Sequence, residues 1–363
     1  MKTILYILCM SLSTFVLSCS SSSARRGDEA LKYLRTANGP GGTVMVIQHG
    51  KVLYSEAFGK ADVEAGREIT LATNFRLASV TKQFTAMAVL MLADRSKLSL
   101  DQTVSEFFPE FAPVGKTITV RHLLTHTSGL VEYEDVMPES TNTPLLDQDV
   151  LRLIKDTDST HFAPGTRFEY SNSGFALLAL IVEKASGRSF ARFLKENIFA
   201  PLGMNATLAY EKGITEVSDR AYGYSPDTIH AGKFERTDQS LTSAVLGDGG
   251  IYSSVNDLRK WDEALKAGTL VSKKTMEEIL AHQATVEEGK TWYGYGWFIG
   301  SIDGVPAYYH GGTTVGFRTF ILRIPDTSLT VITLFNRADA GAEEIARQLA
   351  KEYSLTSLSS SPP

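Results

Sequence analysis

The chain has 363 residues and a formal charge of −5, with 43% hydrophobic and 21% charged residues. That composition is ordinary for a globular protein, which excludes disorder, a collagen repeat and a coiled coil, and a mean hydropathy of −0.07 excludes a multi-span membrane protein. The pI near 5.9 leaves no electrostatic footprint for nucleic acid.

The first element is an address. Lys2 precedes an apolar run from Ile4 to Leu17, which ends in Val16-Leu17-Ser18-Cys19. A charged start, a short apolar stretch and a small residue before the break read as a secretory signal. The run is too short to span a bilayer. It resembles a bacterial lipoprotein signal, although Leu17 stands where a small or hydroxyl residue is usual; a plain signal peptide cut nearby is the alternative. Residues 1–18 are thus expected to be removed, Cys19 to carry lipid, and residues 19–27 to form a flexible tether. The expected location is the cell envelope, on a membrane through the lipid anchor. Cys9 and Cys19 are the only cysteines, and both belong to the address, so no disulfide is expected and the core alone must hold the fold.

Asp28 to Leu34 reads as a short amphipathic helix, with Gly39-Pro40-Gly41-Gly42 barring its continuation. Thr43 to Gln48 and Lys51 to Phe58 read as a β-hairpin around His49-Gly50. Ala78 to Ala93 is apolar on nearly all sides, which marks a buried central helix. From about 101 to 240 the chain is rich in loops, with helices at Val120 to Leu124 and Phe175 to Ala185, the second stopped near Gly187. Ser254 caps a further helix, whose apolar stripe is Leu258, Trp261 and Leu265. Ala307 to His310, Phe317 to Ile324 and Leu329 to Phe335 read as consecutive strands. Glu343 to Tyr353 closes as an amphipathic helix, and Ser354 to Pro363 as a disordered tail. Strands at both ends with a helical middle predict an α+β fold: one composite sheet from residues 28–77 and 245–353, and a mostly helical lobe, 78–244, inserted between them.

The chain has no Gly-x-Ser-x-Gly elbow, no P-loop and no dinucleotide fingerprint. His122 and His126 are spaced by four, but the glutamate of a zincin is missing, so a structural pair is expected rather than a metal site. Ser79-Val80-Thr81-Lys82 is the only Ser-x-x-Lys. Ser79 falls at the start of the buried helix and Lys82 one turn on, facing the same way. A lysine beside a dry core is costly to keep charged, and a neutral amine next to a Ser hydroxyl can act as its base. The bland alternative is a Ser cap and a solvated lysine. Tyr170-Ser171-Asn172 is the only Tyr-x-Asn. On a short turn both side chains can point into one cleft, the phenol to relay protons and the amide to bind a carbonyl and a lysine. His310-Gly311-Gly312-Thr313 lies on a late strand, where glycines let a substrate backbone approach the strand edge. The N–H groups of Thr313 and Ser79 can then form an oxyanion hole. Taken singly, these are equally a packed tyrosine on a loop and a glycine-rich bend.

In this order the three motifs resemble the serine β-lactamase and penicillin-binding-protein superfamily, in the branch of class C β-lactamases, D-Ala-D-Ala carboxypeptidases, D-aminopeptidases and related esterases. Leu123 to Leu130 (LLTHTSGL), Pro164-Gly165, and Gly249 to Ser254 running into Asp257-Leu258 are similar to the same branch. The resemblance covers roughly residues 30 to 350. It implies a five-stranded antiparallel sheet flanked by helices, with the site in a groove against the helical lobe. By motif match Ser79 is the nucleophile, Lys82 its activating partner and Tyr170 the proton shuttle. Asn172 orients Lys82 and the substrate, and His310, Gly312 and Thr313 line the strand. No metal or other cofactor is implied. Many relatives have Lys-Thr-Gly in place of His310-Gly311-Gly312, so a cation for a substrate carboxylate is missing. Arg318 on the next strand is a candidate replacement, or else a solvent-facing residue. There is also no Glu-x-x-Leu-Asn loop of the class A kind. The expectation is a hydrolase of esters or D-amino-acid amides and cell-wall-type peptides, with β-lactam turnover at most a side reaction. A dedicated β-lactamase is one alternative, and a surface-anchored binding or sensing lipoprotein with a vestigial site is another.

Overall fold

The computed structural model describes residues 28–36, 38–111 and 113–358. The signal segment, Cys19 and the tether lie outside the described residues, as does the last part of the tail.

Strands β1 (Gly42–Gln48) and β2 (Lys51–Phe58) form the first hairpin. Gln48 pairs with Lys51 across a two-residue turn, His49-Gly50, in which both residues have positive φ. That is the backbone twist a tight hairpin requires. The C-terminal third adds β3 (Ala284–Glu287), β4 (Thr291–Tyr293), β5 (Phe298–Ile302), β6 (Val305–Thr314), β7 (Phe317–Ile324) and β8 (Leu329–Phe335). All eight pair antiparallel in one sheet, in the order β3-β4-β5-β6-β7-β8-β1-β2. The two ends of the chain meet at β1 and β8, where Gly42 lies opposite Phe335 and Gln48 opposite Leu329. The sheet has eight strands, not the expected five. The extra three are only three to five residues long and sit among Gly289, Gly294 and Gly296. Runs that short give no periodicity of their own, and they form strands because β6 offers an edge to continue.

Four longer helices cover the sheet and fill the other lobe: α1 (Lys82–Asp94), α2 (Asn172–Ser186), α3 (Val255–Ala267) and α4 (Ala342–Leu358). Strand pleating sorts the apolar residues. Val44, Val46, Phe320, Leu322 and Val331 face α4 and its Ile345, Ala346 and Leu349. Met45, Ile47, Ile321, Ile332 and Leu334 belong to the larger core that contains α1 and α2. Helix α1 is buried on all sides from Lys82 to Leu92. It starts four residues later than the sequence predicts, because Ala78–Thr81 is a separate 3₁₀ turn. Helix α2 starts three residues earlier, at Asn172, and stops at Gly187 in the left-handed conformation. Helix α4 runs on to Leu358, five residues past its expected end, since nothing before Pro362 breaks it.

One buried ion cluster ties α3 to the sheet. Asp262, with no exposed side-chain surface, accepts from Arg323 Nε (2.9 Å), Thr330 Oγ1 (2.8 Å) and Lys266 Nζ (2.6 Å). Removing the carboxylate strands a buried guanidinium. Asp262→Ala is therefore expected to lower unfolding free energy by about 3–5 kcal/mol in urea titration. A loss below about 1 kcal/mol would show that the cluster carries no such strain.

Candidate active site

The serine turn is built by close backbone docking. Phe75-Arg76 pairs with Tyr252-Ser253, and Leu77 N–H donates to Ile251 O at 2.8 Å. Ala78 then adopts φ +49°, a left-handed conformation that a residue with a Cβ resists. Ser79 follows inside the 3₁₀ turn, half-buried, and not at the first residue of the long helix. Strands β6 and β7 press on this turn from the other side. Thr319 Oγ1 donates to Leu77 O at 2.7 Å. A Cβ at Gly312 would lie 2.1 Å from Leu77 O and 2.4 Å from Thr319 Oγ1, so only glycine allows the approach.

Lys82 is completely buried. Its Nζ donates to Ser79 Oγ (3.1 Å), Asn172 Oδ1 (2.8 Å) and Asp248 O (3.0 Å). Asn172 Oδ1 and Asp248 O can take two Nζ–H donors, which leaves Nζ able to exchange a proton with Ser79 Oγ. Asp248 belongs to the turn Leu246–Gly249, which is held from behind by Asp147. The two Asp147 oxygens accept from Leu246 N and Gly247 N, each at 2.9 Å. Burial pushes the Asp147 carboxyl up to about 7 and that of Asp248 up to about 6.

Tyr170 and Asn172 flank the start of α2. Ser171 caps that helix through Gly174 N (3.1 Å). Glu132 Oε2 accepts from Asn172 N (2.8 Å) and Ser173 N (3.4 Å), so a buried carboxyl faces the helix N-terminus. Burial pushes Glu132 up to about 7, against these hydrogen bonds. His126 Nδ1 accepts from Ser171 N at 2.9 Å, and its ring stacks on Tyr170 with centroids 4.3 Å apart. Lys82 Nζ lies 4.8 Å from the Tyr170 ring centroid. Glu132 and His126 escaped the sequence reading as supports of the site. Their signal lay in the stretch on either side of Thr127 to Leu130, but their contacts are to α2, some forty residues on. His122 and His126 do not act as a pair: His122 Nδ1 accepts from Thr119 N (3.2 Å) at the start of its own short helix. Among the described residues no group of three His, Cys, Asp or Glu could hold a metal ion.

On β6, His310 is buried and its two nitrogens are both engaged. Nδ1 donates to Gly311 O (2.7 Å) and Nε2 accepts from the Tyr293 hydroxyl (3.1 Å). Burial, then the proximity of Lys82, pull its pKa down to about 3. His310 is thus neutral and offers no cation to a substrate. Arg318, the candidate replacement, is half-buried on β7 beside the cleft. Its Nη1 donates to Thr314 O (2.9 Å) and Phe317 O (2.8 Å), folding the guanidinium onto its own hairpin. It lines the adjoining groove between β7 and the start of α4, whereas Ser79, Tyr170, Asn172, His310 and Thr313 line one cleft of about 590 Å³. Strand β5 pairs with β6 only up to Tyr309, so His310 to Thr314 pair with β7 alone and present an edge to that cleft.

This geometry can be compared with known proteins. The Beta-lactamase family model matches residues 30–354. Penicillin-binding protein 4* of Bacillus subtilis is 32% identical over 328 residues, covering 86% of this chain and 72% of that protein. A D-aminopeptidase of Brucella anthropi is 32% identical over 318 residues, and the chain spans 58% of that relative's length. The solved octameric penicillin-binding protein homologue from Pyrococcus abyssi has a TM-score of 0.78 and 29% identity, covering 95% of this chain and 77% of that one.

The neutral His310 has a measurable cost at low pH. A depressed pKa means that the unfolded chain takes the proton first, so the stability it contributes is full above about 6.5 and is lost as pH falls toward about 3. His310→Gln is expected to flatten this acid limb by up to about 1.4 kcal/mol per pH unit, read from denaturant midpoints at pH 7.5, 6 and 5. Parallel pH profiles for both proteins would contradict a neutral imidazole.

Proposed function

The chain belongs to the Beta-lactamase family and is a hydrolase of that fold related to D-aminopeptidases, and from this we propose that it cleaves ester or amino-acid amide bonds through an acyl-enzyme on Ser79. The observation that carries the reading is the Lys82 amine, buried and 3.1 Å from Ser79 Oγ, with Asn172 fixing it from the far side. That is the geometry an activated serine needs.

The steps balance as follows. Ser79 Oγ bonds to the substrate carbonyl carbon while its proton passes into the Lys82–Tyr170 pair. The carbonyl oxygen takes up charge between the Ser79 and Thr313 N–H groups. The tetrahedral species collapses, the bond to the leaving amine or alcohol breaks, and the leaving group receives the proton through Tyr170. Water then attacks the acyl carbon with the same pair as base, and the proton returns to Ser79 Oγ. Lys82 and Tyr170 share this proton in the scheme, and no single first base is assigned. Asn172 is anchored to Lys82 through Oδ1 and to Glu134 Oε1 through Nδ2 (3.1 Å), so only its second amide N–H is open to the substrate. A neutral His310 and an averted Arg318 leave the cleft without a cation for a carboxylate, which favours esters and amides over β-lactams.

The test uses p-nitrophenyl esters, amino-acid amides, a D-Ala-D-Ala peptide and a chromogenic cephalosporin. Ester or amide turnover is expected to fall by about 10³-fold or more in Ser79→Ala, and by about 10²-fold or more in Tyr170→Phe. Fast cephalosporin turnover would favour a dedicated β-lactamase. No turnover, with no mass adduct on Ser79, would leave a binding protein.

The N-terminal segment supports export and lipidation at Cys19 as part of the same proposal. Expressed in a bacterial host, the full chain is expected in the membrane fraction and labelled by a fatty-acid analogue. Cys19→Ala is expected to abolish the label, and an unlabelled wild type would refute the anchor.

A further inference from the structure

Asn172 is held at three polar points, and carboxylates hold two of them. Its backbone N–H donates to Glu132 Oε2 (2.8 Å), its Nδ2 donates to Glu134 Oε1 (3.1 Å), and its Oδ1 accepts from Lys82 Nζ (2.8 Å). Glu132 thus fixes the backbone at the start of α2, and Glu134 fixes the side chain. Glu134 is exposed, and no step of the proposed reaction uses it.

The segment that carries Glu134 is itself laced to α2. Tyr133, next to it and completely buried, donates its backbone N–H to Ser173 Oγ (2.8 Å) and its hydroxyl to Asp248 Oδ2 (3.1 Å). Ser173 Oγ in turn donates to Val131 O (2.8 Å). The Glu134 carboxylate therefore meets Asn172 from a fixed frame and not from the end of a loose loop.

An amide has an oxygen end and a nitrogen end of nearly the same shape, and only hydrogen-bond partners tell them apart. Lys82 selects Oδ1 while its amine carries three protons, because an ammonium group only donates. That selection lapses once Lys82 gives a proton up. A neutral amine has an electron pair, and a rotated Asn172 would donate Nδ2–H to it. The pair would then be occupied when Ser79 has a proton to release. Glu134 removes this alternative. A carboxylate only accepts, so rotation would set Oδ1 against Oε1 and break a bond strengthened by charge.

We propose that Glu134 is a positioning residue that acts through Asn172: its carboxylate locks the amide with Oδ1 toward Lys82 and so keeps the neutral amine free for the Ser79 proton. The assignment rests on the proposed roles of Ser79 and Lys82. Glu134, Asn172, Lys82 and Ser79 then form one chain of contacts, of 3.1, 2.8 and 3.1 Å, from an exposed carboxylate to the nucleophile.

The test uses the full chain and p-nitrophenyl acetate, a substrate without charge, so Glu134 has no cation on it to attract. Glu134→Ala is expected to lower kcat about tenfold, with KM changed by less than about twofold. Glu134→Gln, whose amide oxygen can still accept from Asn172, is expected to keep about a third or more of kcat. Glu134→Lys only donates and so favours the rotated amide; its kcat is expected to fall below that of Glu134→Ala. Urea midpoints of all three are expected to match the unaltered protein, since the side chain is exposed. In an Asn172→Ala background, Glu134→Ala is expected to change kcat by less than about twofold, because the two residues act in series. The order of the three single variants decides where Asn172→Ala turns over too slowly to read. An unchanged kcat in Glu134→Ala, a loss confined to KM, a loss of equal size with and without Asn172, or a Glu134→Lys as active as Glu134→Gln overturns the assignment. If the ester is still cleaved in a Ser79-dependent way, only the role of Glu134 falls. If nothing is cleaved through Ser79, the hydrolase reading falls with it.

Discussion

Lys82 is sealed from solvent, and its Nζ is bound by acceptors from three distant stretches of chain. A buried amine lacking even one of these partners would be strongly destabilising. Each acceptor must therefore be fixed, and much of the surrounding structure does that. Asp147 holds the turn that presents the Asp248 carbonyl. Glu132, Ser171 and His126 hold the start of α2, which presents Asn172. Leu77, Gly312 and Thr319 clamp the turn that presents Ser79. Most of these supports are buried polar groups, and buried polar groups tolerate little displacement.

The same low-dielectric surroundings sort the charges. Burial makes His310 neutral and raises the carboxyls of Glu132, Asp147 and Asp248. The β6 side of the cleft is mostly aromatic, with Phe298, Tyr309 and Phe320, and the exposed Glu343 also belongs to its lining.

Much of this was legible in the sequence where side-chain pattern reports directly on structure. The β-branched run Thr43 to Gln48 and the mostly apolar stretch after Lys82 mark the sheet and its central helix by composition alone. Strands at both ends of the chain predict one composite sheet, and the pairing of β1 with β8 is how the two ends join in it. What stayed hidden depends on contacts between remote segments. Strands β3, β4 and β5 exist because an edge is there to receive them. Ala78 takes a strained φ because β6 and Ile251 fix the chain on both sides of it, which no local propensity reveals. Glu132 carries no pattern of its own in the sequence, and only the placement of α2 against it shows its role. Arg318 sat at a plausible strand position, but its guanidinium follows the carbonyls of the β6–β7 turn, and a sequence does not show which way a long side chain folds.

Gly41 N–H donates to the Asn336 side chain at 2.9 Å, joining residues 295 positions apart. Ser79 is thus synthesised early and the strand that lines its cleft late. A growing chain carries Ser79, Lys82 and Asn172 for much of its synthesis without a wall to hold substrate against them. Contacts at such separation form slowly and nearly together. The cleft is therefore walled late in synthesis, and a chain cut short before β6 lacks its strand wall altogether.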